Sequence, residues 1–422
     1  MVAMDSNIKY YNEKYFYKLV AVPNVEDLIR RKICEDKVGT ILFNRTGIII
    51  LKGIIYVIFP CGYRVNEPYY DIQLLLDLFD RLVNEKKMDK EFYDLIDFEY
   101  EGNGHLLTVA YAIMKDYREN GYIRIENVIQ GINIGGKVNW KKTMKQKTQI
   151  FTEDGMPIFT DLVMTRKEND KDALLRSLHM YAINKSIAMF GVLFGMESEY
   201  DEDAVELPVN KEYAIKFLKS ERHMTYNSRL LRVIDLVIKF IDSNENESTD
   251  NSFMALSTKS FYSVWELMCK VILRDEFPSM KDKMPKPYWK IGDGEPRFTD
   301  QIPDIIYKDN SELYVLDAKY YNVQKNRPGW HDLVKQYFYA LSLKAVLKDI
   351  NKTTNIMIIP SEITEVAKFW ATSAVENVPG FGKVYGIFLN VNHVIETYCY
   401  GNDKDYRAEL RKIIDSKESQ EN

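Results

Sequence analysis

Two aspartates and a lysine, Asp304, Asp317 and Lys319, have the types and spacing needed to hold a divalent cation against a phosphodiester. They stand in Gln301-Ile-Pro-Asp-Ile-Ile-Tyr307 and Leu313-Tyr-Val-Leu-Asp-Ala-Lys-Tyr320. These are two apolar runs of strand composition, separated by a polar turn at Lys308–Glu312. With the hairpin axis between Asn310 and Ser311, Tyr307 faces Tyr314 and Asp304 faces Asp317. The two-residue strand period then puts Lys319 on the same face as Asp317. Directly opposed β-carbons lie about 4.5–5.5 Å apart, where like charges destabilise. Carboxylates held that close share a proton or a cation, and the neighbouring lysine favours the cation. The pattern outlines a metal-dependent nuclease site.

An acid-x-lysine triplet alone discriminates little. Glu35-Asp-Lys37 and Glu85-Lys-Lys87 are two more, both in charged surroundings with no Pro-Asp strand before them. The bland alternative for Asp317 is an exposed edge hairpin with solvated ion pairs. The flanking segments favour the site. Asp332–Leu343 has an acidic start and apolar residues at helical spacing, with Gln336 and Tyr339 on one face. Asn355–Pro360 and Val384–Leu389 read as strands, and Ser257–Phe277 as a helix with Phe261, Trp265, Met268 and Ile272 in one stripe.

Helix, hairpin, helix, strand is the core order of the PD-(D/E)xK nuclease superfamily, which this region resembles. The resemblance implies a further acid from the first helix, and Glu266 is the position that fits. By periodicity alone, Glu266 lies off the apolar stripe and is equally a surface residue paired with Lys270 one turn on. The resemblance also makes Gln336 a catalytic candidate. Related nucleases often carry Gln-x-x-x-Tyr, however, whereas Gln336 and Tyr339 are separated by two residues.

Composition bounds the class. Hydrophobic residues make up 46% of 422, ample core for two or three domains. A net charge of −5 excludes a chain that is basic throughout, so any DNA-binding surface is local. Cys34, Cys61, Cys269 and Cys399 form no Cys-x-x-Cys pair, which argues against a zinc ribbon or disulfide frame and for a reducing compartment. With no signal peptide and no long apolar run, a cytoplasmic protein without membrane contact is expected.

The acidic stretch Glu197–Glu206 reads as a loop between helices, and the polar stretch Asp242–Ser252 as a linker. Three domains are expected. Residues 1–120 form an N-terminal region of unassigned role, with strands at Thr40–Phe43, Gly47–Leu51 and Val57–Pro60 and a helix at Asp71–Asn84. Residues 121–242 hold a basic segment and helices over Ala173–Gly195 and Tyr213–Ile241. Residues 253–422 form the nuclease domain. The expected fold is thus α+β and multidomain: a C-terminal α/β PD-(D/E)xK core, its mixed sheet flanked by helices, preceded by a small β-rich unit and a helical middle region.

Asn127–Thr152 contains no acid but five lysines, Lys137, Lys141, Lys142, Lys145 and Lys147, with Trp140 among them. Basic charge interleaved with an aromatic suits contact with a phosphate backbone; a solvated loop is the alternative. The string Gly135-Gly-Lys-Val-Asn-Trp-Lys-Lys-Thr143, with Met156-Pro-Ile-Phe-Thr-Asp161 and Leu175-Arg-Ser-Leu-His-Met-Tyr181, resembles the middle of the LlaJI-type restriction endonuclease family, related to the McrC subunit of McrBC. Together with the Glu266 helix and the Asp304/Asp317 hairpin, the resemblance spans roughly residues 120–345. It implies a subunit that cuts DNA with a separate McrB-like AAA+ GTPase; a cognate DNA methyltransferase beside them would distinguish this from the alternatives, a repair or transposition nuclease of the same fold or a non-catalytic DNA-binding or NTPase-regulating subunit. The chain has no Gly-x-x-x-x-Gly-Lys-Ser/Thr loop of its own. The expected cofactor is Mg²⁺, with Mn²⁺ able to replace it, held by Asp304, Asp317 and the Ala318 carbonyl, with Glu266 as a further ligand. Lys319 would orient the attacking water or neutralise developing charge. His331 is expected at a helix start rather than as a base.

Overall fold

The computed structural model describes residues 7–86, 98–101, 104–170, 173–196, 199, 201, 205–243, 253–323, 327–401 and 404–421. It is a mixed α+β chain with several sheets, divided into two units. One joins Met1–Gly104 to Thr249–Asn422, and the other is His105–Ser248.

The first unit contains two five-stranded sheets. The N-terminal one consists of β1 (Ile8–Asn12), β2 (Thr46–Leu51), β3 (Ile54–Phe59), β4 (Phe98–Glu101) and β5 (Phe253–Thr258), in the order β1-β3-β2-β5-β4. β2 and β3 are near-continuous apolar runs, which suits strands packed on both faces. They form a two-residue hairpin whose turn residues Lys52 and Gly53 both have positive φ, as a primed turn requires. β5 pairs antiparallel with β2 on one side and β4 on the other.

The C-terminal sheet carries the acid-lysine hairpin. Its strands are β6 (Ile305–Asp309), β7 (Glu312–Ala318), β8 (Lys352–Ser361), β9 (Ala367–Ala374) and β10 (Lys383–Asn390), in the order β6-β7-β8-β10-β9. β7, β8 and β10 run parallel, and the two edge strands run antiparallel to their neighbours, so the sheet is mixed. The longer helices of this unit are α1 (Pro68–Lys86), α2 (Phe261–Ile272), α3 (Trp330–Val346), α4 (Val391–Tyr400) and α5 (Tyr406–Glu421). Ala340 and Leu343 of α3 pack on Ile306, Leu313 and Val315 of the hairpin. Those strand residues share one face with Asp317 by the alternation of side chains.

The two sheets are joined by buried polar contacts. Tyr320 donates to Glu13 Oε2 at 2.7 Å, Thr46 donates to the same oxygen at 2.9 Å, and the Cys61 amide donates to the Tyr320 hydroxyl at 2.8 Å. Burial pushes the Glu13 carboxyl above the usual range, although Tyr320, Lys14 and Thr46 pull it back.

The second unit holds helices Gly104–Asn120, Leu174–Phe190, Lys211–Met224 and Ser228–Ser243, and a three-stranded sheet of Glu126–Ile132, Val163–Asn169 and Lys137–Val138. The single helix expected over Tyr213–Ile241 is two, because Asn227 caps a new start by accepting from the Leu230 amide at 3.0 Å.

This organisation differs from the three domains expected. The division falls at Ser248/Thr249, inside the polar Asp242–Ser252 stretch, but β5 belongs to the N-terminal sheet, so residues 253–422 do not form a separate unit. From His105 onward the helix Gly104–Asn120 belongs to the second unit rather than to the 1–120 region. Most of Glu197–Glu206 and residues 244–252 lie outside the described residues. The helix expected over Ser257–Phe277 is shorter, Phe261–Ile272, since Ser257 and Thr258 close β5.

Candidate active site

The turn Asn310-Ser311 sets the hairpin register, with Asn310 in the left-handed conformation that asparagine tolerates. Asp309 pairs with Glu312, Tyr307 with Tyr314, and Ile305 with Leu316. The tyrosine rings stack at 4.7 Å. This is the register that the turn and strand pattern predict. The ladder begins at Ile305, not Gln301, so Asp304 stands one step before its first pair, at the level of Asp317. It is fixed there by the Ala318 amide, which donates to Asp304 Oδ2 at 2.8 Å.

Around this pair the chain collects charge. Lys319 Nζ lies 2.8 Å from Asp317 Oδ2 and 2.8 Å from Asp332 Oδ1. Asp332 is in the first turn of α3, where its other oxygen accepts from the Gly329 amide at 2.9 Å. It therefore caps the helix and anchors the lysine together. From α2, the Glu266 charge raises the Asp304 carboxyl, the buried Cys269 thiol is raised by burial and then by Glu266 and Asp304, and Glu266 pairs with Lys270 at 2.5 Å.

The electrostatics follow from partial burial. The Asp304 carboxyl is pushed up to about 7, first by burial and then by the charges of Asp317 and Glu266, against the pull of the Ala318 amide and Lys270. Burial opposes the charge on Lys319, but Asp317 and Asp332 outweigh it and hold the ammonium above its ordinary range. Asp332 is drawn below the carboxylate range: burial would raise it, and the Lys319 and Gly329 hydrogen bonds more than compensate. Tyr339 on α3 is raised by burial and by Asp304 and Asp317, which places it within their field.

Asp304, Asp317 and Lys319 are thus brought together, and Glu266 stands near enough for its charge to act on Asp304 while its contact is with Lys270. Gln336 is not at the carboxylates. It is buried, and its amide donates to the Val315 carbonyl at 2.5 Å and the Ile356 carbonyl at 3.4 Å, tying α3 to β7 and β8. His331 is exposed at the start of α3. Asp332 joins the site without having been singled out by motif, although an acid in the first turn of the helix after the lysine is a usable signal.

The donors fit a divalent cation. Asp317 Oδ2 is buried and, apart from the Lys319 ammonium, has no hydrogen-bond partner among the described residues. Among those residues, no three His, Cys, Asp or Glu side chains are gathered closely enough to cage a metal by themselves. Magnesium needs no such cage, because one or two carboxylates with water and substrate phosphate suffice.

The basic segment has a different character. Lys137 is in a short strand, Lys141, Lys142 and Lys145 are on the helix Trp140–Gln146, and Lys147 follows it. Asn139 caps that helix by accepting from the Lys142 amide at 3.1 Å, and the buried Thr143 hydroxyl accepts from the Val163 amide at 3.0 Å. A Cβ on Gly136 would come within 2.3 Å of the Thr165 carbonyl. The Gly, Asn and Thr of the Gly-Lys-x-Asn-Trp-x-x-Thr string are therefore structural. Lys137, Lys141, Lys142, Lys145 and Trp140 are left at the surface, with Lys142 Nζ donating to Gln130 Oε1 at 2.7 Å.

Comparison with known proteins gives the class: a restriction-system protein. The family model described as LlaJI restriction endonuclease matches residues 38–392, and the chain belongs to that family. It is 24% identical over 422 residues to the type II restriction enzyme BsuMI component YdjA of Bacillus subtilis (strain 168), covering 94% of this chain and 88% of that protein. Among solved structures, a match at TM-score 0.37 and 11% identity covers 93% of this chain and 99% of a chain from an assembly of Thermococcus gammatolerans McrB AAA+ hexamers with bound McrC. At that score the likeness carries no argument. No helix among the described residues is long and apolar enough to cross a membrane.

Proposed function

We propose that this chain is the Mg²⁺-dependent DNA endonuclease subunit of a restriction system that defends against phage, with the C-terminal sheet as a PD-(D/E)xK nuclease core. The observation that carries this reading is the Asp304/Asp317 pair set by one hairpin register, with Lys319 fixed beside it by two acids. Membership of a restriction endonuclease family supports it independently.

Asp304, Asp317 and the Ala318 carbonyl would hold the cation, Mg²⁺ or Mn²⁺, with Glu266 as a further ligand once released from Lys270. When bound, the cation supplies a water of lowered pKa and neutralises charge on the leaving oxygen. Lys319, kept protonated by Asp317 and Asp332, donates to a phosphoryl oxygen or orients the attacking water. Asp332 and Gln336 act by position. The first holds the lysine, and the second fixes α3 across the two strands that bear and border Asp317. Lys137, Lys141, Lys142, Lys145 and Lys147 would contact phosphates without reading sequence.

A McrB-like AAA+ GTPase partner and a companion methyltransferase belong to the same proposal, through the family resemblance. The test is cleavage of methylated and unmethylated DNA by the full chain, with and without Mg²⁺ and the candidate NTPase. Metal-dependent cutting supports the reading. Its absence under every combination, with the partner shown to bind, contradicts it.

A further inference from the structure

The sheet that bears Asp317 continues into a pocket of about 750 Å³, within the size range of small-ligand sites. The strand pairings give its position. Asp317 pairs with Met357, Met357 with Gly386, and Gly386 with Ala371, so one row crosses four strands from the carboxylate to the edge. Directly paired residues share a face, which puts Gly386 on the Asp317 side, two strand spacings or roughly 10 Å away. Met357, Gly386 and Trp370 line the pocket, with Leu333 beside the lysine anchor Asp332, and Arg327 in the wall.

Trp370 is placed by two unusual features. The pairing of β9 with β10 slips between Phe369 and Ala371, leaving Trp370 as the extra residue of a bulge. Bulges re-aim a side chain and are over-represented beside active sites. Opposite it, a Cβ on Gly386 would come within 2.5 Å of the Trp370 ring. Glycine there lets the indole lie close against the sheet. Phe388 supports it, its ring stacked at 5.7 Å and 29°. The indole remains partly exposed and lines the pocket, while Arg327 is exposed.

A partly exposed aromatic ring with an arginine in the same pocket wall, on the strand row that leads from Asp317, matches what proteins use to hold an unpaired base: stacking on the ring and a positive group near the backbone. We propose that Trp370, seated on Gly386, is a stacking platform for one unpaired nucleobase of the DNA strand being cut, close to the scissile phosphate. The inference rests on the nuclease reading of Asp304, Asp317 and Lys319 and names a substrate contact for that site.

The test uses the full chain without divalent metal, so that binding is read apart from cleavage. DNA carrying 5-iodouracil at successive unpaired positions is irradiated and the crosslinked peptide mapped. The expected result is a crosslink at Trp370 from one position, lost in Trp370→Leu and in Gly386→Ala, whose new methyl group displaces the ring. Affinity for DNA with an unpaired base should fall at least about fivefold in Trp370→Leu and be largely retained in Trp370→Phe, while affinity for fully paired DNA is unchanged. Melting curves equal to wild type separate this loss from unfolding.

Crosslinks that map elsewhere, or that persist in both variants, would overturn the platform and leave Trp370 as a cover for the sheet. Full competition by a free mononucleotide would likewise replace the DNA base with a soluble ligand. The two readings fail separately. Metal-dependent cutting abolished by Asp317→Ala, without a Trp370 crosslink, removes only the platform. A Trp370 crosslink, with cutting unaffected by Asp317→Ala, removes only the nuclease assignment.

Discussion

Glu35-Asp-Lys37 and Asp317-Ala-Lys319 share an acid-x-lysine spelling, and both form an ion pair, at 2.7 and 2.8 Å. Their surroundings differ. The Glu35 and Lys37 side chains are 49% and 52% exposed, and Lys37 draws the Glu35 carboxyl below its ordinary range. Asp317 and Lys319 are each 21% exposed, beside an aspartate pushed up to about 7. The first pair settles its own charge in water. The second holds a half-buried aspartate pair that one lysine does not neutralise, so Asp304 keeps a proton that a divalent cation would displace. The chemistry lies in the opposed strand and the burial, not in the triplet.

The largest expected effect separates the two motifs by cleavage. Lys319→Ala or Asp317→Ala should lower the rate at least about a hundredfold, the usual cost of removing a preorganised electrostatic group. Glu35→Ala and Lys37→Ala should leave it within about twofold, since exposed pairs contribute little. Equal losses in both sets would erase the distinction.

A pH profile of stability is the next test. In the fold Asp304 keeps its proton up to about 7, whereas the unfolded chain releases it near the ordinary value of 3.8. The unfolded state thus binds fewer protons in this window, so this group lowers the stability of the metal-free protein as pH rises through it, with no further change above. The Tm of metal-free protein should fall between about pH 4 and 7, and Asp304→Asn should remove much of that fall. Glu35 is shifted the other way, and its contribution is lost only as pH falls through the acid range. Glu35→Gln should therefore leave the profile between about pH 5 and 7 unchanged.

Glu266 sharpens the contrast within one helix turn. Its ion pair with Lys270 is partly exposed, so Glu266→Gln should cost less than about 1 kcal/mol of stability. As a site residue it should nevertheless lower cleavage about tenfold or more. Cleavage unchanged alongside small destabilisation would leave it a surface ion pair. The smallest effect concerns the basic segment. Changing Lys137, Lys141, Lys142, Lys145 or Lys147 to Gln should reduce the slope of log K against log salt by about one unit for each phosphate no longer neutralised. An unchanged slope and affinity in the quintuple variant would leave a solvated segment.

The hairpin is legible in the sequence because its information is local. Turn residues, alternation and two tyrosines at matching distance fix a register, and the register sets Asp304 at the level of Asp317. The helix after it is legible from its periodicity, with its ends displaced by a few residues. What escapes depends on distant partners. Phe253–Thr258 has an ordinary strand pattern, and nothing in it says that β2 and β4 flank it. Gln336 looks catalytic from its place after the lysine, but its partners are carbonyls of two strands brought together only by the sheet. The Trp370 bulge is invisible without the register of β9 against β10.

The central claim is that the hairpin carboxylates form a cation site which the Glu35 motif does not. The direct measurement is Mg²⁺ titration of the full chain by thermal shift, comparing wild type, Glu35→Ala and the double variant Asp304→Asn/Asp317→Asn. Tm should rise with Mg²⁺ equally in wild type and Glu35→Ala, as binding to the native state requires, and should not rise in the double variant. An equal Mg²⁺-induced rise in the double variant would contradict it.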